Sequence, residues 1–181
     1  MLSKSEFENA KIRTLEYFYN AGIAISESER EKIEVADFGL NRLNEIGLEI
    51  LMYVNTERCC AKELILFPYQ ICPEHRHPDI NGKQGKEETF RCRYGKVFLY
   101  VEGEPSENIF AVLPKGKENS FTIKHEIVLN PGDQYTLRPG ILHWFQAGPE
   151  GAVVSEFSTK SSDEFDIFTD QEIKRIPEIE G

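Results

Sequence analysis

From Leu48 onward, apolar side chains recur at every second position and break off every few residues at a turn. That pattern restricts the chain to a fold of short, mostly antiparallel strands. Leu48, Ile50, Met52 and Val54 alternate with Glu49, Leu51 and Tyr53, and Asn55-Thr56-Glu57 reads as the first turn. Segments 59–67, 69–77, 89–94, 96–102, 121–129, 134–137, 143–146 and 152–158 follow, set apart by Arg-Tyr-Gly-Lys, Pro-Gly and Ala-Gly-Pro-Glu-Gly turns. Eight or nine such strands predict a β-sandwich or barrel, a mainly β fold class. Residues 103–120, rich in Glu, Pro, Lys and Asn, are expected as an exposed loop or a long hairpin.

Before Gly47 the period is helical. Ser5 is placed to cap a run carrying Phe7, Ala10, Ile12, Leu15, Phe18 and Tyr19, with Gly22 to stop it. Ser26-x-x-Glu29 fits a capping box for a second, shorter helix carrying Ile33, Val35 and Phe38. One domain over 1–181 is expected: a helical extension at 1–46, a barrel at 47–160 and an acidic tail at 161–181. The tail offers Phe165, Ile167, Phe168, Ile173 and Ile176 as anchors for packing on the barrel. A chain of this length buries roughly 70% of its unfolded surface, enough for a core without staples. Cys59, Cys60, Cys72 and Cys92 form no Cys-x-x-Cys pair and read as reduced thiols in strand-like, apolar surroundings.

Charge narrows the partners. Lys and Arg total 21 against 31 Asp and Glu, a formal charge of −10, and such a surface repels phosphate backbones and anionic lipid. No nucleic-acid partner and no membrane partner is therefore expected. The first residues lack an apolar signal stretch, and no later run approaches the roughly 18 apolar residues of a membrane span. A cytoplasmic location is the expectation.

Two of the four histidines form His75-Arg76-His77. In a strand, positions two apart share a face, so both imidazoles aim one way and are suited to gripping a divalent transition metal. Taken alone, the pair also fits two partly exposed strand residues. Downstream, Gly85-Lys86-Glu87-Glu88-Thr89-Phe90-Arg91-Cys92-Arg93-Tyr94-Gly95 places Glu88 seven residues before Gly95. Pro131-Gly132-Asp133 then leads through Arg138-Pro139-Gly140-Ile141-Leu142 to His143. This combination resembles the two sequence motifs of the cupin superfamily. The resemblance implies a cupin β-barrel (double-stranded β-helix, or jelly roll) whose metal ligands are His75, His77, Glu88 and His143. Glu87 is the rival carboxylate, and the Gly95 spacing favours Glu88. The interval from His77 to Glu88 is longer than usual for cupins, so a loop through 78–82 must be accommodated. His125 falls outside the motifs and reads as an ordinary strand residue.

Longer strings narrow the resemblance. Tyr53-Val54-Asn55-Thr56, Lys62-Glu63-Leu64-Ile65-Leu66-Phe67-Pro68, Cys72-Pro73-Glu74-His75-Arg76-His77-Pro78 and the run from Glu88 to Val97 are similar to the bacterial D-lyxose isomerase family. So are His143-Trp144-Phe145-Gln146-Ala147-Gly148 and Asp166-Ile167-Phe168-Thr169-Asp170. The similarity runs from about residue 15 to the end. It implies a metal-dependent aldose–ketose isomerase, a D-lyxose ketol-isomerase, acting on D-lyxose and D-xylulose and also on D-mannose and D-fructose. One divalent ion per chain is implied, Mn2+ first, with Zn2+, Co2+, Ni2+ and Fe2+ as alternatives because availability often decides occupancy. A homodimer is expected, as cupins commonly pair.

Moving a carbonyl between C1 and C2 requires a base that removes a proton from carbon and a cation that stabilises the developing enediolate. Glu156 is an acid inside an otherwise apolar strand, and Lys62 is a cation in an apolar context. Read from the residues alone, both also fit solvent-facing positions, since a lysine can lay its stem on apolar surface with its head in water. With the resemblance, Glu156 is assigned as general base and Lys62 as the cation at the substrate oxygen. Lys86, Asp166 and Asp170 are the candidate substrate-binding residues, with loop or tail solvation as the alternative for each. Trp144 is expected to pack outside the metal cavity rather than stack on sugar, and Phe90 and Tyr135 to serve the core, with lining the pocket as the alternative. No Gly-rich phosphate cradle is present, which favours an unphosphorylated sugar as the small-molecule partner. A phosphosugar isomerase, a non-catalytic sugar- or metal-binding cupin and an oxygen-using cupin enzyme are the rival readings.

Overall fold

Two long strands, each bent so that it serves both halves of a curled sheet, organise the molecule, which is seen in a computed structural model describing residues 2–176. They are β5 (Glu88–Val101) and β8 (His143–Ser158), paired antiparallel along nearly their whole lengths. The second half of β8 also pairs with β3 (Cys60–Leu66), which continues through β2 (Leu48–Asn55) to β1 (Glu34–Ala36). Its first half pairs with β4 (Ile71–Arg76), whose other edge takes the short β9 (Ile167–Phe168). Two further strands, β6 (His125–Leu129) and β7 (Gln134–Leu137), line the free edge of β5. The result is a curled antiparallel sheet, as the cupin resemblance implies.

Sequence alternation decides what the curl encloses. Leu48, Ile50, Leu64, Leu66, Cys72, Phe90, Val97, Leu99, Phe145 and Val154 face inward and form one buried cluster. The opposite faces are also covered. Leu51, Ile65, Phe67 and Val153 meet the first helix, α1 (Lys4–Asn20), through Ala10 and Phe18. Burying a side chain such as Phe18 contributes about 1.5–3 kcal/mol. On the other side Trp144, Tyr100, Phe98, Ile71 and Phe121 form a third cluster, and Trp144 donates to the Ile123 carbonyl at 2.9 Å. Trp144 thus packs on the outer face of the sheet, away from the inner cluster that holds Phe90.

Several boundaries differ from the sequence reading. Ser3, not Ser5, caps α1, and its capping box with Glu6 is complete. Gly22 stands where expected, at φ +67°, just after the C-cap Ala21. The second helix, α2 (Glu27–Glu31), keeps its Ser26 capping box but lasts only five residues. Ile33, Val35 and Phe38 do not belong to it: Glu34 to Ala36 pair with Leu48 to Ile50 as β1, so the first 46 residues are not wholly helical. Strands read as 89–94 and 96–102 are one, as are 143–146 and 152–158, because Gly95 and Gly151 take left-handed φ at bends within strands. Segment 103–120 is no hairpin and is not merely solvated. Its Ile109, Ala111 and Leu113 lie on the Trp144 cluster, and Gln146 bonds both the N–H and the carbonyl of Val112. Cys59 is exposed, whereas the other three cysteines are buried. The tail returns over the barrel as far as it is described, and residues 177–181 lie outside the described residues.

Glu49 has an energetic consequence of its own. It is fully buried beside α1, Gln70 donates to one oxygen at 3.3 Å, and the other oxygen has no hydrogen-bond partner among the described residues. Burial pushes its carboxyl up to about 8. A carboxyl whose folded pKa lies above its unfolded value of about 4.3 favours folding most when protonated, so its contribution falls as pH rises from there towards 8. Relative to the native chain, Glu49→Gln should therefore gain stability between pH 5 and 8, by up to about 1.4 kcal/mol per pH unit. Urea unfolding of both proteins across that range is the check. A difference that stays constant with pH would contradict the assignment.

Candidate metal and proton-transfer site

Strand register assembles the site. His75 lies opposite His143 in the β4–β8 pair, Lys62 opposite Glu156 in the β3–β8 pair, and Glu88 opposite Ser158 in the β5–β8 pair. Since β8 carries both His143 and Glu156 and touches all three partners, one bent strand brings the two halves of the site together. His77 sits one residue beyond the end of β4, two positions from His75. All of these side chains except that of Ser158 are buried.

Each of the three imidazoles offers one nitrogen within 4.8 Å of the others'. His75 Nδ1 is 2.7 Å from the Pro73 carbonyl and His143 Nδ1 is 3.0 Å from the Ile141 carbonyl. A proton on each Nδ1 satisfies those carbonyls and leaves Nε2 free to bind, the arrangement that orients metal-ligating histidines. His77 Nδ1 faces the Asp166 carboxylate at 2.5 Å, so its Nε2 also turns inward. Glu88 Oε1 lies 3.1 Å from His77 Nε2 and 2.9 Å from His143 Nε2. Despite that approach the geometry is not that of a hydrogen bond, so His143 Nε2 is a buried polar atom with no hydrogen-bond partner among the described residues. Three imidazole nitrogens and one carboxylate suit a divalent transition metal, and the orphaned nitrogen is what such an ion would satisfy.

Beside the imidazoles lies a charged cluster. Lys86 Nζ is 2.7 Å from Glu88, 3.0 Å from Glu156 and 3.5 Å from Asp163. Lys62 Nζ is 2.7 Å from Ser161 Oγ, 2.5 Å from Asp163 and 3.8 Å from Glu156. Arg175 closes the far side, 3.6 Å from Asp163 and 2.5 Å from Glu34. Burial would lower the Lys86 ammonium's pKa, but Glu156, then Glu88 and Asp163, hold it well above its ordinary value. Burial would raise the Glu88 carboxyl, and Lys86 and then His77 hold it well below the usual range. The same contest, won by Lys86 and then Lys62, keeps Asp163 ionised. Burial, and then His143 and His77, press His75 far below the ordinary imidazole value, so it is neutral and ready to ligate.

His75, His77, Glu88 and His143 are thus brought together, and Glu156, Lys62 and Lys86 adjoin them. Asp166 stands behind His77 and orients its ring. Asp170 does not join the site: its carboxylate is 2.7 Å from Lys117, and it lines neither of the cavities beside the imidazoles. That corrects its expected place among the substrate-binding residues. His125 is spent on the Glu104 carbonyl at 2.8 Å. Sequence reasoning missed Asp163, Ser161 and Arg175, which lie in a tail with no strand period to say which way they point. Glu74 was also missed. This buried carboxylate accepts bonds from Thr122 N and Oγ, Ile123 N and Thr169 Oγ, tying the tail and the segment before β6 to the strand that carries His75.

Comparison with known proteins bears on what the arrangement does. Residues 29–181 match the model of a family described as D-lyxose isomerase. A D-lyxose/D-mannose isomerase of Thermosediminibacter oceani is 63% identical over 180 residues, 99% of each chain. A D-lyxose ketol-isomerase of Cohnella laeviribosi is 60% identical over 176 residues, 97% of each. Among solved structures, an Acinetobacter sp. DL28 L-ribose isomerase bound to L-ribose superposes with a TM-score of 0.83 at 16% identity, covering 99% of this chain and 98% of that one. The ligand-free L-ribose isomerase of Cellulomonas parahominis gives 0.78 at 18% identity, covering 95% and 94%. At these identities the structural likeness shows a shared fold.

Proposed function

The chain belongs to the D-lyxose isomerase family, and from that premise we propose that it interconverts D-lyxose and D-xylulose, and D-mannose and D-fructose, through an enediol formed at the buried His–Glu site. The observation that carries the reading is Glu156. It is a buried carboxylate outside the ligand set, on the strand that bears His143, with Oε1 3.0 Å from a lysine that also touches Glu88. A binding module has no need of a buried proton acceptor there. An aldose–ketose isomerase does.

In the proposed reaction Glu156 accepts the C2 proton of the open-chain aldose. The C–H electron pair becomes the C1–C2 double bond, and the carbonyl pair moves onto O1. Return of the proton from Glu156 to C1, with the O2 proton passing to O1, leaves the carbonyl at C2 and the base regenerated. No oxidant enters and none is consumed. His75, His77, Glu88 and His143 would hold a divalent ion, which would supply Lewis acidity for negative charge developing on the substrate oxygens. Lys62, engaged by Ser161 and Asp163, is better placed to set Glu156 than to reach substrate. We therefore assign the cation at the reacting oxygens to Lys86 and a positioning role to Lys62. The test is ketose formation from D-lyxose by the metal-loaded protein. Carbon-bound deuterium at C1 of the product when the reaction is run in D2O, acquired where the Glu156 proton exchanges with solvent before its return, is the enediol's mark.

Manganese as the resident ion, a homodimer and a cytoplasmic setting are finer parts of the same proposal. Metal analysis of the purified protein, a solution mass of twice the 20.8 kDa chain and cell fractionation check them in turn. A different ion, a monomer or an exported protein would overturn each respectively.

A further inference from the structure

Two neighbouring cavities meet at His77, and they differ greatly in size. The inner one, ringed by His75, His77, Glu88, Phe90 and Glu156, encloses about 30 Å³. That is room on the order of two waters, far too little for a sugar. The outer one encloses about 260 Å³ and shares His77, Lys86 and Asp166 with the inner cavity, so the two adjoin at these side chains. Ligand sites for small molecules have volumes of about 300–1,000 Å³, so the outer chamber is of the right order and the inner one is not. A sugar whose C1 and C2 oxygens reach the ligand cluster must therefore lay the rest of its carbon chain in the outer chamber.

One wall of that chamber is built by the long interval between His77 and Glu88. Residues 80–83 form a miniature hairpin: Ile80 and Lys83 exchange backbone hydrogen bonds at 2.9 Å in both directions. Asn81 and Gly82 take φ of +50° and +76°, the left-handed pair that a tight hairpin turn requires. Asp79 accepts from the Gly85 N–H at 2.9 Å and pins the base of the loop. The extra residues therefore make a defined wall rather than a floppy insertion. It presents Ile80, Asn81 and Gln84 to the chamber, and Phe165 from the returning tail stands among the other lining residues.

Resting on the isomerase reading above, we infer that this hairpin and Phe165 form the subsite for the substrate's far end, C4 to C6, and set the preference between five- and six-carbon sugars. Asn81 and Gln84 meet its hydroxyls, and Ile80 and Phe165 meet its carbon skeleton. Filling the chamber should then penalise a hexose more than a pentose. Ile80→Trp is expected to lower the ratio of kcat/KM on D-mannose to that on D-lyxose by about tenfold or more, the scale on which a packed pocket discriminates one extra carbon. Gln84→Trp fills the same space without touching the turn residues and covers the case in which the first variant fails to fold. Phe165→Ala should raise KM for both sugars with little change in kcat, because contacts to the remote chain act equally on ground and transition states.

Binding of the linear polyols D-arabinitol and D-mannitol to the metal-loaded protein, measured by calorimetry, separates this inference from its premise. Selective weakening of mannitol by the Trp variants in a protein that turns over neither sugar would keep the subsite and discard the isomerase. A native ratio in both folded Trp variants would overturn the subsite and leave the isomerase standing. A protein that neither turns over the sugars nor binds the polyols would overturn both.

Discussion

Glu156→Gln is expected to lower kcat on D-lyxose by about 10²–10⁴-fold, the usual contribution of a positioned general base. The substitution keeps the side-chain shape and removes the proton acceptor. Glu156 is buried in β8, fixed by its pairing with Lys62 on one side and Phe90 on the other, so the amide should occupy the same space. It is not among the ligands, so metal content should be unchanged, and KM should move far less than kcat. The measurement is steady-state kinetics alongside metal analysis of the same preparation. A variant retaining kcat within about threefold would remove Glu156 from the role of base. Loss of the metal with the activity would make it a structural support for the ligands instead.

Lys86→Met should cost stability as well as rate. Lys86 is the cation closest to both Glu88 and Glu156, and it also reaches Asp163. Taking it away leaves buried carboxylates facing one another with Lys62 and Arg175 as the remaining cations near Asp163. Removing one partner from a buried ion pair typically costs about 3–5 kcal/mol, because the charge left behind is neither solvated nor paired. A bound divalent ion compensates Glu88 directly, so the penalty should shrink when the protein is loaded. Urea denaturation of the native chain and Lys86→Met, each with chelator and with Mn2+, gives the four numbers needed. Equal penalties in both states would mean that Lys86 and the ion do not share the neutralisation of Glu88.

Strand alternation tells which side chains share a face: His75 with His77, Lys62 with Leu64 and Leu66, and Glu156 with Val154. It does not tell which face is the inner one for Lys62 and Glu156; the family resemblance supplies that, as it supplies Glu88 and His143, and all of them are buried. The rule stops where regular backbone stops. Asp163 belongs to a single 3-10 turn, and Ser161 and Arg175 to irregular chain, so no period distinguished them from solvated tail residues. Asp166 and Asp170 looked equivalent in sequence, yet one meets His77 and the other meets Lys117, a choice made by where the tail lies. Glycine misled the strand count for a related reason. At Gly95 and Gly151 a left-handed residue bends a strand without ending it, and sequence alone does not separate a bend from a turn. At the N-terminus, Ser3-x-x-Glu6 and Ser5-x-x-Glu8 are both capping boxes on paper. Packing decides for the first, since Leu2 and Phe7 flank it and join the same apolar cluster.

The proposed isomerisation depends on a metal held by His75, His77, Glu88 and His143. Stripping the protein with chelator and following D-xylulose formation from D-lyxose before and after adding Mn2+ tests it most directly. Activity abolished by the chelator and restored by the ion is the expected result, with no restoration in His143→Ala. Undiminished turnover in the stripped protein, or tight metal binding without any ketose formed, would contradict it.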